Sequence, residues 1–301
     1  MSVWNQSLDA AGIREPLLRQ DYGVQRELVA RFRRASYLAI RLLLPKALLP
    51  HVVAATAVMH HGDNVLDTGP KSQRVTAWAS WEREVRKALD SGVSDDPLVR
   101  TLLSTTAAYP RLRTVVEEYL STATTELESS AFATEADYQA YVDDYSLPAF
   151  MLVGCLLGPE HDDGDFRAGC RLFIDGSQRL DFVNDLAEDL TEGRIGIPAD
   201  TLERFSVTAE DLATARESPG VRRLMEDQIT KARASLLAAK DSPALTANRH
   251  GALLEAVIKI ELLTADAALA RGARLVRGPV SPPVMGSLRV LVGARRRAGW
   301  P

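Results

Sequence analysis

The chain has 301 residues, of which 46% are hydrophobic and 25% charged, and a formal net charge of −4. This composition lies outside the disordered and fibrous regimes, allows a sizeable core, and gives no electrostatic reason to expect nucleic acid as a partner. The two cysteines, Cys155 and Cys170, sit in apolar or helical context; they exclude a disulfide-rich secreted scaffold and read as reduced core residues.

Residues 1–20 are polar, lack the apolar run of a signal peptide, and are expected to be peripheral. Beyond them helical periodicity recurs and hairpin signals are missing. The pattern predicts helices over residues 23–44, 48–66, 72–89, 96–108, 111–129, 135–157, 166–190, 209–215, 220–240, 247–270 and 284–292. Prolines and glycines fall between them, at Pro45, Pro50, Gly69-Pro70, Pro110, Pro159, Pro198, Pro219 and Pro243. No Gly/Ser-rich linker or solenoid repeat interrupts the series, so residues 1–301 read as one all-α domain. The apolar stretches 37–50 and 148–158 are too short to span a bilayer and contain proline, which makes the cytoplasm the expected location. No acidic residue follows Asp266, whereas Arg271, Arg274, Arg277, Arg289, Arg295, Arg296 and Arg297 do. That basic C-terminal tail reads first as a solvated periphery, and second as a contact for an anionic ligand or a membrane surface.

Two of the predicted helices carry unusual carboxylate patterns. The first reads His60-His61-Gly62-Asp63-Asn64-Val65-Leu66-Asp67, and the second runs from Gln178 through Asp181 and Asp185 to Asp189. Residues four apart stack on one face of an α-helix, where like charges repel by about 0.2–0.5 kcal/mol per exposed pair. In the second motif Leu180, Phe182, Val183 and Leu186 intervene, so this is not simply a solvated helix. Carboxylates lined up beside core residues invite a compensating cation. Oxygen-only ligation favours Mg²⁺, which keeps waters and bridges phosphate oxygens. Either motif alone fits an ordinary surface helix; the two together favour a metal site.

The flanks of these motifs carry a resemblance. Ser36-Tyr37-Leu38 through Leu43-Leu44-Pro45, the ungapped spacing from there to Asp63, and Glu192-Gly193-Arg194-Ile195-Gly196-Ile197-Pro198 after Asp189 are similar to the squalene and phytoene synthases. Weaker similarity covers residues 74–89 with Trp81, and Glu126-Leu127 through Thr134 and Tyr141; all of it fades beyond residue 200. The resemblance implies an isoprenoid-synthase helical bundle around a central apolar cavity. Asp63 and Asp67 would hold Mg²⁺ from one wall, Asp185 and Asp189 from the other, with Asp181 assisting and a prenyl diphosphate between them. Ser36, Tyr37, His60, Gln178 and Arg194 are implied as substrate contacts, although Arg194 reads equally as a surface arginine and His60 as a structural histidine. Mg²⁺ would neutralise the leaving diphosphate, and the apolar cavity would keep the allylic cation from water.

Departures from the family pattern cluster in the cavity wall. His60 stands where the family has arginine, an arginine near Pro50 and a tyrosine near Thr56 are missing, Asn64 replaces an Asp, and Asp181 replaces an Asn. A helix of small residues is here Tyr145 to Gly154 with Pro148 inside it, and the late Tyr-Arg pair has no counterpart near Leu254-Glu255. The metal-handling half is retained and the acceptor half rebuilt. The sequence thus points to a Mg²⁺-dependent prenyltransferase that alkylates a small, aromatic acceptor in secondary metabolism, by analogy with the phytoene-synthase-like prenyltransferases of bacterial carbazole-alkaloid pathways. Alternatives are a head-to-head squalene- or phytoene-type synthase and a non-catalytic assembly protein, against which the retained aspartates argue.

Overall fold

The computed structural model describes residues 2–128, 131–161, 164–247 and 250–299. The first half holds α1 (Val3–Ala10), α2 (Pro16–Phe32), α3 (Arg34–Leu43), α4 (Leu49–Asp67), α5 (Lys71–Ser91), α6 (Pro97–Ala108), α7 (Arg111–Thr122) and α8 (Thr125–Glu128). The second holds α9 (Glu135–Tyr141), α10 (Leu147–Leu157), α11 (Asp165–Asn184), α12 (Leu186–Asp189), α13 (Ala199–Arg204), α14 (Ala209–Ala213), α15 (Pro219–Ala238), α16 (Gly251–Arg271) and α17 (Val284–Ala298). Helix accounts for 80% of the molecule and no strand forms among the described residues, which carry one isolated bridge between Ala131 and Ile195.

Local chemistry sets many of the helix boundaries. Glu15 accepts the Leu17 and Leu18 amides ahead of Pro16, Asp96 accepts those of Leu98 and Val99 ahead of Pro97, and Thr134 with Asp137 forms a reciprocal capping box. Each such cap is worth ~1 kcal/mol and uses amides the helix cannot satisfy itself. Gly92, at φ 74°, closes α5 in the left-handed region.

Two buried apolar clusters hold the bundle together. The larger draws on α1 to α7, α10, α11, α16 and α17; the smaller joins Leu180, Val183 and Leu186 to Val221, Leu224, Met225 and Ile229 of α15. Helix α11 enters both, and Gly176 lets it lie close to α15: a Cβ there would sit 2.6 Å from the Ala232 carbonyl oxygen. Behind the same helix, buried Arg179 is clamped by Glu135 and by Gln228 at 3.0 Å, and its guanidinium lies over the Tyr138 ring. This fixes the pitch at which the second carboxylate motif leaves α11.

The structure corrects several sequence expectations. Residues 23–44 are not one helix, because the chain turns at Arg33 (φ −126°, ψ 51°), where neither proline nor glycine marks the break. Residues 166–190 are not one helix either: α11 ends at Asn184, and Asp185 adopts φ −94°, ψ 3°. Residues 111–129 split into α7 and α8, with Ser129 outside the described residues. The last long helix begins at Gly251, and residues 248–249 lie outside the described residues. Neither terminus is merely peripheral, since Trp4, Leu8 and Ile13 are buried, as are Leu291, Ala294 and Ala298. Pro148 does not end the helix over residues 135–157. The chain passes through a π-helical turn, Val142–Ser146, in which Leu147 N–H reaches back to the Val142 carbonyl. The wider turn absorbs the ring that would otherwise clash with the carbonyl four residues earlier. By length and composition Glu135–Leu157 could cross a membrane, but 72% of its apolar window is buried inside the fold, which makes it a core helix.

Candidate active site

The two carboxylate motifs meet. Asp63 and Asp67 from α4, and Asp181, Asp185 and Asp189 from α11, the break after it and α12, line one cavity of about 290 Å³. Gln178 and Arg194 line it too, as do Arg33, Glu126, Phe132, Tyr141, Tyr145 and Phe182, for which no site role is read from the sequence. The end of α11 aims Asp185 and Asp189 into the cavity from a turn, not from one straight helical face.

Each wall is organised by hydrogen bonds and ion pairs. Tyr145, in the π-helical turn, donates to Asp63 Oδ1 at 3.0 Å, and Arg33 Nη2 lies 3.4 Å from Asp63 Oδ2. Tyr141 donates to Glu126 at 2.6 Å. Arg194 bonds Asp189 at 2.9 Å and reaches Asp67 at 4.0 Å, bridging the two motifs with its charge. Gln178 accepts from Ser146 at 3.1 Å, which ties α11 to the same π-helical turn. Phe132, Tyr141 and Phe182 form an aromatic wall, with ring centroids 5.3 to 5.8 Å apart.

Six carboxylates in one cavity are short of positive charge. Burial pushes Asp63 up to about 6, against the opposing pull of Tyr145 and Arg33, and pushes Glu126 up to about 7. Asp181 rises to about 8, first from burial, then from Glu261 on α16 and from Asp185. Asp67, Asp185 and Asp189 are raised as well, again chiefly by burial. The Tyr119 hydroxyl, packed against Gly62 beneath Asp63, is buried without a hydrogen-bond partner. Oxygen donors on opposite walls, held partly uncharged first by burial and then by one another, suit a hard divalent cation. Among the described residues no three of them converge tightly enough to enclose a metal, so the protein would supply a few carboxylates per wall and leave the other positions to water or phosphate oxygens.

Three of the implied substrate contacts lie elsewhere. Ser36 lines a separate apolar cavity of about 160 Å³ with Ala39, Ile40, Thr56, Met59, Phe150, Val153, Leu157, Leu253, Leu254 and Val257. Tyr37 is half-buried beside Trp4 and Arg41, and His60 stacks on Phe32 at 5.3 Å. The break at Arg33 is the reason: it re-aims the start of α3 and brings Arg33, not Ser36 or Tyr37, to the carboxylates. The apolar cavity lies along the same helices as the acidic one. Met59 precedes Asp63 by one turn of α4, and Phe150, Val153 and Leu157 follow Tyr145 down α10.

The squalene/phytoene synthase family model matches residues 29–285. The chain belongs to that family. Enzymes of the family are divalent-metal-dependent prenyltransferases and synthases acting on prenyl diphosphates. The chain is 25% identical to the bifunctional protein CrtB/UppS of Streptomyces coelicolor, across 95% of its own length and 54% of that protein, so it spans about half of this relative. To the 15-cis-phytoene synthase of Synechocystis it is 23% identical, over 72% of this chain and 67% of that one. Its fold matches a dehydrosqualene synthase in complex with ligand (TM-score 0.81, 17% identity, 94% and 98% coverage). It also matches squalene synthase HpnC from Alicyclobacillus acidocaldarius (TM-score 0.72, 23% identity, 90% and 100% coverage). The isoprenoid-synthase helical fold implied by the flanking motifs is therefore this chain's fold.

Proposed function

We propose that this squalene/phytoene synthase family member is a Mg²⁺-dependent prenyltransferase that ionises one allylic prenyl diphosphate in the acidic cavity and passes the prenyl group to a small acceptor. The observation that carries this is the convergence of Asp63 and Asp67 with Asp185 and Asp189 across one cavity, bridged by Arg194. Bound between these walls, Mg²⁺ would neutralise the departing diphosphate and lower the barrier to C–O cleavage. Asp63, Asp67, Asp185 and Asp189 would hold the metal, and Asp181 would orient its waters. Arg194 and Arg33 offer charge-assisted hydrogen bonds to phosphate oxygens from the cavity rim. Tyr145 keeps Asp63 oriented, and the Phe132, Tyr141 and Phe182 rings face a developing cation with their negative quadrupoles. The prenyl tail would run along α4 and α10 toward Phe150.

The lining of the apolar cavity supports a non-prenyl acceptor. That cavity measures about 160 Å³ and is lined almost wholly by apolar side chains. Phe150, in the segment where the family has small residues, takes up part of that space. An aromatic acceptor, a place in secondary metabolism and a cytoplasmic location belong to this reading. The head-to-head alternative, with a second prenyl diphosphate as acceptor, is favoured by the names of the relatives. Incubation with Mg²⁺ and single prenyl diphosphates, with and without indole- or carbazole-type acceptors, separates the two. Alkylated acceptor without a C30 or C40 hydrocarbon is expected; a squalene- or phytoene-like product from diphosphate alone would overturn the acceptor assignment.

A further inference from the structure

Helix α17 buries Leu291, Ala294 and Ala298 against α3 and α16 and leaves the adjoining face uncovered. That face shows Val284 (80% exposed), Met285 (62%), Leu288 (50%) and Val292 (41%), which fall on one side of the helix by their spacing. Arg289 and Arg296, seven residues apart and exposed, run along one edge of the stripe. Helix α3, packed against α17, exposes Leu38 together with Arg34 and Arg41, and Phe32 is exposed at the end of α2 with Arg31 over its ring.

The charge around this surface has one sign. Neither residues 28–62 nor residues 267–301 contain an aspartate or glutamate. The acidic groups of α16, the other neighbour of α17, are engaged or turned inward. Glu255 pairs with Lys259 and Arg297, Asp266 with Arg233, and burial raises Glu261. Large side chains in a row on a solvent face, edged by arginines and free of acids, match the pattern of an interfacial helix and do not match an ordinary solvated one.

We propose that the outer face of α17, with the adjoining exposed part of α3, docks this protein onto an anionic lipid bilayer surface. The apolar stripe would enter the headgroup–acyl boundary, with Arg289 and Arg296 among the phosphates. A bilayer explains both halves of the pattern, the apolar row and the one-signed rim. A second copy of this basic face would set arginines against arginines. The inference stands apart from the reading of the acidic cavity, since binding is measured without substrate or metal.

The test uses the whole chain and flotation with vesicles of phosphatidylcholine alone and of phosphatidylcholine with phosphatidylglycerol. Binding to the anionic vesicles is expected, weakening as salt is raised. Replacing Arg289 and Arg296 by Gln should weaken it roughly 30-fold, given the attraction of each basic side chain to an anionic surface. The triple change Met285→Ser, Leu288→Ser, Val292→Ser should weaken it at least about tenfold, with helix content and turnover of dispersed substrate unchanged. Failure to float with anionic vesicles would overturn the proposal, and so would equal affinity for neutral ones. A concentration-dependent dimer in sedimentation, abolished by the triple change, would overturn it by assigning the face to a second copy.

Discussion

Tyr145 donates its hydroxyl to Asp63 Oδ1 at 3.0 Å from inside the π-helical turn that precedes Pro148. Residue 145 thus belongs to the acidic cavity because of a backbone irregularity that the proline three residues later accompanies. π-helical turns are rare and occur often at functional positions, where one extra residue re-aims a side chain. In Tyr145→Phe the fold should persist while Asp63 loses the hydrogen bond that holds its carboxyl down. A hydrogen bond to a charged group is worth about 2 kcal/mol, so turnover at saturating substrate should fall about 30-fold. The apparent Mg²⁺ requirement should rise with it. Unchanged metal titration and rate would show that the contact is only structural.

The carboxylates of the two walls should behave as a set. Each of Asp63→Ala, Asp67→Ala, Asp185→Ala and Asp189→Ala is expected to cut turnover at least ~10²-fold. Thermal stability of the metal-free protein should hold or rise, because each change relieves like-charge repulsion in a buried cavity. Asp181→Asn, in contrast, should keep a substantial fraction of activity, since Asp181 stands behind the four. Steady-state rates and melting curves on one panel decide the matter; near-normal rates in two of the four Ala variants would remove the metal assignment.

The cavity carboxylates should lower the stability of the metal-free protein as pH rises from about 4 to about 8, opposed below about 6.5 by His51, whose burial lowers it to about 4. Asp63, Glu126 and Asp181 have folded-state values of about 6, 7 and 8, all above their ordinary ones. The native state therefore binds more protons than the unfolded chain in that window, and raising pH removes the advantage. Below the ordinary carboxylate values the contribution is fully present; above about 8 it is gone. Melting temperatures across this range should show the decline, Asp181→Asn should flatten its upper end, and Mg²⁺ with inorganic diphosphate should reverse it. A metal-free protein that becomes more stable between pH 6.5 and 8, above the histidine range, would contradict the charge shortage inferred for the cavity.

Gly62, next to Asp63, has no room for a side chain, because the Tyr119 hydroxyl occupies the place a Cβ would take. Tyr119 cannot easily swing aside, since its ring meets Trp78 edge-on at 5.6 Å. Gly62→Ala should cost roughly 1–3 kcal/mol by overpacking. Tyr119→Phe should cost little, because the hydroxyl it removes has no partner. The double variant should recover most of the loss, and denaturant titration of the three proteins measures it.

The sequence revealed the helical class, most helix positions and the carboxylates, because each of these is a local pattern. Asp63 and Asp67, like Asp181, Asp185 and Asp189, announce themselves by spacing, and the flanking motifs make Gln178 and Arg194 legible. The other cavity residues carry no local signal. Arg33 reaches Asp63 only because the chain turns between α2 and α3, and Glu126 meets Tyr141 only after the segment between them folds back. For the same reason Ser36 and Tyr37 do not line the acidic cavity, and Ser36 lines the apolar one instead. A motif fixes which residues lie close in sequence, but the break at Arg33 decides which of them face the cavity.

The acidic and apolar cavities lie at different heights along the same two helical runs, with Met59 one turn before Asp63 on α4 and Phe150 beyond Tyr145. One turn of helix, about 5.4 Å, separates the nearest carboxylate from the apolar wall. A variant library confined to Met59, Phe150, Val153 and Leu157 would explore donor length and acceptor shape without visiting a single cation ligand. Reactivity would be inherited while selectivity drifts, and that separability makes such a scaffold easy to diversify.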